Sequence, residues 1–437
     1  GGRTAMSSQQ MSWLRVGSFA PLTGTWAPLP VPERTCRRRP STLGSDGRSS
    51  WLRPPWPATA GVCCAYAAAR ACAARKRVRK LARRVLQPYA IEPINPYLFE
   101  MKSSLQRLAE PGTGILDTSE SIQELGSLLI QAGAENTPES RRAWREFLYS
   151  TEGLGRFCSC VVLSEEALRQ ATSDGRPFVE LLQEQGIIVG VRADTGSYPL
   201  NGYGEKGTDG YVDLDRRCRD YYKRGVRVAK WRTEVFCTME LPTDVSVWEN
   251  TTRIGQAARA CQAGGLAFAA EVDITMGPGN HSIDRTAYVA EKVYSQALRM
   301  MNEYDANLEA AVLATGLCAA GEEAGPVRPE DAAELTARCL RRTVPPALAG
   351  VHLLPGAASP ETAARNLRAA QEAAMGAPWV PLPVYGGGLL APALKTWAAG
   401  GGEAAARSKL LQFLEASGQS QLGMLEEDTL PQGLEGV

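Results

Sequence analysis

The chain has 437 residues, 44% hydrophobic and 22% charged, with 48 basic and 47 acidic side chains for a formal charge of +1. That composition excludes a collagen-like or wholly disordered chain and suits a globular body with a large core. The small net charge hides a split: residues 1–90 hold 16 Lys/Arg against Glu33 and Asp46, leaving 32 basic and 45 acidic residues in 91–437.

In chain order, residues 1–86 come first, a basic leader rich in Arg, Ser, Ala and Pro with no sustained helical or strand period. This is transit-peptide composition, with a plastid as the expected destination and mitochondrion or cytosol as alternatives. The apolar stretch Ala58–Ala69 is 12 residues long and stopped by Arg70, too short to span a bilayer, so no transmembrane segment is expected. The run Arg75-Lys76-Arg77-Val78-Arg79-Lys80 could hold anionic lipid or nucleic acid, but no aromatic interleaving accompanies it and nucleic acid is not an expected partner. Eleven irregularly spaced cysteines without a Cys-x-x-Cys pair, and two histidines, predict reduced thiols and no metal site.

From Gln87 strand-like apolar runs alternate with amphipathic helical stretches. The expected strands are Gly114–Thr118, Cys158–Leu163, Ile187–Asp194, Arg227–Thr233, Leu266–Ile274, Ala310–Thr315, Gly350–Leu354 and Val380–Tyr385. Helices are expected over Ser121–Gln131, Pro138–Tyr149, Arg216–Arg224, Val247–Ala263, Ser282–Tyr304, Glu330–Arg342 and Pro360–Ala374. Eight strands, most followed by a helix, predict an α/β fold, a (β/α)8 TIM barrel, with any site at the C-terminal ends of the strands.

Asp194, Lys230, Arg232, Glu271 and Asp273 are charged groups within otherwise apolar strands. Lys230 and Arg232 lie two apart and share a strand face, as do Glu271 and Asp273 one strand later. Such charges must be paired or sit at the barrel mouth; a structural ion-pair network and a catalytic cluster both fit the spacing. Gly202-Tyr203-Gly204-Glu205-Lys206-Gly207 follows no strand closely and opens no helix, and reads as a plain loop. Cys158 and Cys160, two apart, are expected on one strand face as small core residues, and His352 as a satisfied core histidine, whereas His281 lacks an obvious partner. Asn250-Thr251-Thr252 fits a glycosylation acceptor only if the chain is secreted. Pro381 and Pro383 remove two ladder donors from the last strand, predicting a loosened or bulged seam against the first.

Several motifs then recur in one family's order. They include Gly114-Ile115-Leu116, Glu120-Ser121, Asp174-Gly175-Arg176-Pro177-Phe178, Ala229-Lys230-Trp231-Arg232, Arg341-Arg342-Thr343-Val344-Pro345-Pro346 and Ala393-Leu394-Lys395-Thr396-Trp397. In these the chain resembles the class I fructose-1,6-bisphosphate aldolases. The resemblance implies an aldolase-like barrel over 87–425 and a tail over 426–437. It also implies a family reaction that splits fructose 1,6-bisphosphate into glycerone phosphate and glyceraldehyde 3-phosphate through a lysine Schiff base, in glycolysis or the Calvin cycle. No cofactor is implied. The implied partners are a phosphorylated sugar, bound weakly here, and a homo- or hetero-oligomer of the family's tetramer type.

The resemblance also implies catalytic positions at Lys230, Glu271 and Asp273, the last as a shortened Glu, and substrate positions at Arg232, Ser121, Gly356 and Asp194. The Schiff-base position is Ala314, whose methyl has no nucleophilic lone pair. The family's strand-one aspartate falls on Ser119, its third-strand lysine on Arg192, and its phosphate-binding residues on Glu124, Leu128, Pro355 and Gly387. Impaired aldolase activity is therefore expected. Two alternatives are a Schiff-base or transaldolase-like enzyme using Lys230 on another sugar, and a non-catalytic scaffold or subunit of an active aldolase.

Overall fold

The computed structural model describes residues 95–424 apart from 357 and 401; the expected leader and the tail 426–437 lie outside the described residues. Ten strands follow in chain order: β1 (Gly114–Thr118), β2 (Cys158–Leu163), β3 (Ile188–Arg192), β4 (Gly196–Pro199), β5 (Lys206–Asp209), β6 (Val228–Cys237), β7 (Ala267–Met276), β8 (Ala311–Thr315), β9 (Gly350–Leu353) and β10 (Pro381–Gly386). All but β4 and β5 form one closed parallel barrel in the order β1-β10-β9-β8-β7-β6-β3-β2. The helices are α1 (Leu98–Leu108), α2 (Ile122–Gln131), α3 (Pro138–Tyr149), α4 (Phe178–Glu184), α5 (Leu214–Lys223), α6 (Asp244–Ala263), α7 (Ile283–Glu303), α8 (Pro329–Thr343), α9 (Pro360–Ala373), α10 (Ala391–Ala398) and α11 (Glu403–Gln421). This is the expected TIM barrel.

Strand alternation divides the core into two layers. Ala229, Trp231, Phe268, Ala270, Val272 and Leu313 face outward into the shared core with the helices. Ile115, Val162, Ile188, Val228, Ala269, Val312 and Val384 fill the barrel interior, and Met101, Leu105 and Leu108 of α1 join them. Those α1 positions recur at helical spacing, so one helix face closes the barrel floor. One strand period above the apolar layer, the inward positions become Asp117, Lys230 and Glu271, and the core gives way to charge.

The seam expected to loosen is closed. On β10, Pro381 and Pro383 pair with Val351 and Leu353 of β9, and Val384, Tyr385 and Gly386 pair with Ile115, Leu116 and Asp117 of β1. A proline removes a donor but keeps its carbonyl, so the ladder continues through the remaining groups. Gly114 completes the fit: a Cβ there would lie 2.6 Å from the Pro383 carbonyl oxygen and 2.8 Å from its ring. The register shift lies on the other side of β1, between Gly114 and Ile115 against β2, and it skips Ser159. That shift also corrects the cysteine expectation, because Cys158 falls in the outer cluster and Cys160 in the interior one. Both remain small core residues, as expected.

The loop expected at Gly202–Gly207 includes the turn of a hairpin, β4 with β5, that the sequence reading did not delimit. Strands β6 and β7 run further than expected, pairing as far as Cys237 and Met276. Asn250 is buried within α6 and donates to the Lys206 carbonyl at 2.9 Å.

His352 is fully buried in β9. Burial drives its pKa down to about 4 against an interaction with the Leu108 backbone, so it sits in the core as a neutral imidazole. His281 is also buried, and its ring has no partner.

Candidate active site

The C-terminal ends of β1, β3, β6, β7, β9 and β10 surround a cleft of about 490 Å³. A larger cavity of about 950 Å³ opens beside it and shares Arg232, Asp273 and Gly356 in its wall. Each cation of the cleft is paired with at least two carboxylates. Lys230 Nζ lies 2.5 Å from Asp117 Oδ2 and 3.1 Å from Glu271 Oε2. Arg232 meets Glu271 at 3.3 Å, Asp273 at 3.0 Å and Glu124 at 3.6 Å. Arg192 meets Asp194 at 2.8 Å and Glu124 at 3.8 Å. The network expected among Lys230, Arg232, Glu271 and Asp273 is present and extends to four further residues.

Asp117 is the residue that sequence reasoning missed. The family's strand-one aspartate aligns with Ser119, but Asp117 stands two residues earlier on the same inward face. Its Oδ1 accepts from the Ser119 hydroxyl at 2.6 Å and the Ser119 N–H at 3.1 Å, which aims Oδ2 at Lys230. The available signal was strand period: Ile115 faces inward, so Asp117 must do so too.

The electrostatics follow from burial against pairing. Burial pushes Asp117 upward, but the Lys230 charge and the hydrogen bonds from Lys230 and Ser119 outweigh it and hold Asp117 below its ordinary value. For Lys230, burial favours loss of the proton, yet Asp117 and Glu271 together raise the ammonium above its ordinary value. Glu271 is raised by burial despite Lys230. Glu120, in the cleft wall, is pushed up to about 7 by burial and by the Asp117 charge. A carboxyl titrating there can carry a proton in either direction near neutrality.

The other expected site residues are less available. Asp194 is buried past the end of β3, and its second oxygen accepts from the Arg232 backbone N–H at 3.0 Å. Ser121 caps α2, its hydroxyl accepting from Glu124 N at 3.1 Å. Gly356 lines the cleft beside Pro355, as do Leu128 and Gly387. Ala314 is buried on β8, in register with Glu271 on one side and His352 on the other. Among the described residues, no group of His, Cys, Asp and Glu is placed to hold a metal ion, and no helix is long and apolar enough to cross a membrane.

A closed barrel with a lysine, an arginine and carboxylates at the strand ends defines a class of protein also found by comparison. The family model of class-I fructose-bisphosphate aldolase matches residues 100–434. The cytosolic fructose-bisphosphate aldolase 5 of Arabidopsis thaliana is 37% identical over 306 residues, covering 70% of this chain and 85% of the relative. The fructose-bisphosphate aldolase of Drosophila melanogaster is 36% identical over 328 residues, covering 74% and 90%. A solved Plasmodium falciparum fructose-bisphosphate aldolase, in complex with TRAP and a small-molecule inhibitor, superposes with a TM-score of 0.73 at 36% identity, over 76% of this chain and 97% of that one. The chain belongs to the class I fructose-bisphosphate aldolase family.

Proposed function

We propose that this chain keeps the aldolase barrel but does not cleave fructose 1,6-bisphosphate through a Schiff base, and serves as a binding or assembly member of the family. The carrying observation is the Lys230 clamp. An imine forms only from a neutral amine, and Lys230 is held as an ammonium between Asp117 at 2.5 Å and Glu271 at 3.1 Å. With Ala314 at the position where the family places its lysine, no lysine besides Lys230 lines the cleft among the described residues. The same clamp disfavours a transaldolase-like use of Lys230. A phosphorylated sugar would also meet a cleft whose cations are already paired, so its binding is weak. The leader, as a plastid address, belongs to the same proposal.

Borohydride trapping decides it. The purified protein is incubated with fructose 1,6-bisphosphate or dihydroxyacetone phosphate, reduced and peptide-mapped, alongside a coupled cleavage assay. The expected result is no adduct and no cleavage. A reduced adduct on Lys230, or turnover at ordinary enzyme rates, overturns the proposal.

A further inference from the structure

Strand β8 ends at Thr315, and the chain then passes through Gly316 and Leu317 to Cys318. The Cys318 backbone N–H donates to the Thr336 hydroxyl of α8 at 2.8 Å, and that hydroxyl donates to the Ala332 carbonyl one turn earlier at 2.7 Å. Cys339 follows Thr336 by three residues on α8, so both lie on one helix face. That spacing brings the Cys318 and Cys339 thiols into hydrogen-bonding contact with each other. The Cys339 sulfur also lies 3.4 Å from the Ala287 carbonyl oxygen of α7, which holds it against the neighbouring helix. The two thiols differ in access. Cys339 is fully buried, whereas Cys318 lines the cavity of about 950 Å³ that opens beside the cleft. The hydrogen bond from Cys339, with lesser contributions from Thr336 and the Arg338 charge, holds the Cys318 thiol below its ordinary pKa despite burial, and the same bond raises Cys339.

We propose that Cys318 is a peroxide-reactive thiol on the wall of the large cavity, and that Cys339 resolves its sulfenic acid as an intramolecular disulfide. The thiolate is the reactive form of cysteine, and donors and positive charge beside the sulfur favour it. The Cys318 thiolate attacks hydrogen peroxide: an S–O bond forms, the O–O bond breaks, and the departing hydroxide takes up a proton and leaves as water. Cys339 then attacks the sulfenic sulfur. The S–S bond forms, the S–O bond breaks, and the second hydroxide leaves as water with the Cys339 proton. Two thiols are thereby oxidised by two electrons and one peroxide is reduced to two waters. The product ties the segment after β8 to α8 and fixes one wall of the cavity. The inference stands apart from the Lys230 clamp, since it uses none of the charges of the cleft.

The cysteines of the described residues are all free and buried, and one other pair serves as an internal control. The Cys218 and Cys261 sulfurs lie 3.6 Å apart, but both residues are fully buried and neither lines the large cavity. The reduced full-length chain is treated with hydrogen peroxide, its remaining thiols are alkylated, and the protein is peptide-mapped with and without dithiothreitol. The expected result is a reducible Cys318–Cys339 peptide that forms at least about tenfold faster than any Cys218–Cys261 peptide. In Cys339→Ser the expected product is a sulfenic acid on Cys318, trapped by dimedone. Absence of the Cys318–Cys339 peptide from the native chain overturns the inference, as does its formation no faster than a Cys218–Cys261 peptide. A link from Cys318 to Cys237 in its place also overturns it. These outcomes are read on the native chain, so a variant that fails to fold leaves the test decisive.

Discussion

Lys230 carries the site's identity and much of its local energy. It is 7% exposed, and its charge is the shared partner of Asp117 and Glu271. Removing one member of a buried ion cluster leaves the others desolvated and unpaired, at a cost of about 3–5 kcal/mol. Lys230→Met should therefore destabilise the fold by about that amount in urea unfolding. Combining it with Asp117→Leu and Glu271→Leu should recover most of the loss. A Lys230→Met cost below about 1 kcal/mol would show that the clamp is not structural. At this scale the sequence was legible in part. Lys230, Arg232, Glu271 and Asp273 stood out as charges in apolar strands, whereas Asp117 was hidden by alignment to Ser119 although strand period pointed to it. The pairing of Glu124 with two arginines was not legible, because it joins β3, β6 and α2 across the barrel mouth.

At the scale of elements, strong local patterns were readable and long-range fits were not. All eight barrel strands were readable, because each is an apolar run bounded by turn residues, and α2 and α3 open on Ser121 and Thr137 as N-caps. The short hairpin β4–β5 was missed; β4 alternates between half-buried and exposed, β5 buries Gly207 and Thr208 between exposed ends, and neither shows an apolar run. The β10 prolines were misjudged because the compensating residue is on another strand. Gly114 admits the Pro383 ring and carbonyl, so Gly114→Ala must push β1 from β10. The expected cost is about 1–3 kcal/mol, measured as a lowered urea midpoint, with the β1–β10 amides exchanging faster with solvent than those of β6–β7. An unchanged midpoint would mean that the seam has slack.

On the scale of the whole molecule, residues 91–437 carry 45 acidic against 32 basic side chains, and one of those acids makes a contribution to stability that falls as pH rises. Glu120 contributes in a defined window. Its folded pKa of about 7 exceeds the 4.5 of an ordinary glutamate, so folding favours its protonated form. The associated stability is complete below about pH 4.5 and is lost as pH climbs to about 7. Because Glu120 is partly exposed, the effect is about 1–2 kcal/mol. Glu120→Gln should therefore match the native protein near pH 4.5 and exceed it by that amount at pH 8 in urea unfolding. Equal stability at both pH values would place the Glu120 titration elsewhere. The barrel architecture was legible from strand count and spacing alone, but the closure order and the α1 floor required the fold.

The three-membered clamp also bears on how such a site changes over generations. Any single replacement of Asp117, Lys230 or Glu271 strands charge in the barrel, so a lineage losing the clamp stepwise must pass through poorly folded intermediates. Folding alone therefore disfavours each single loss, whether or not the site is used.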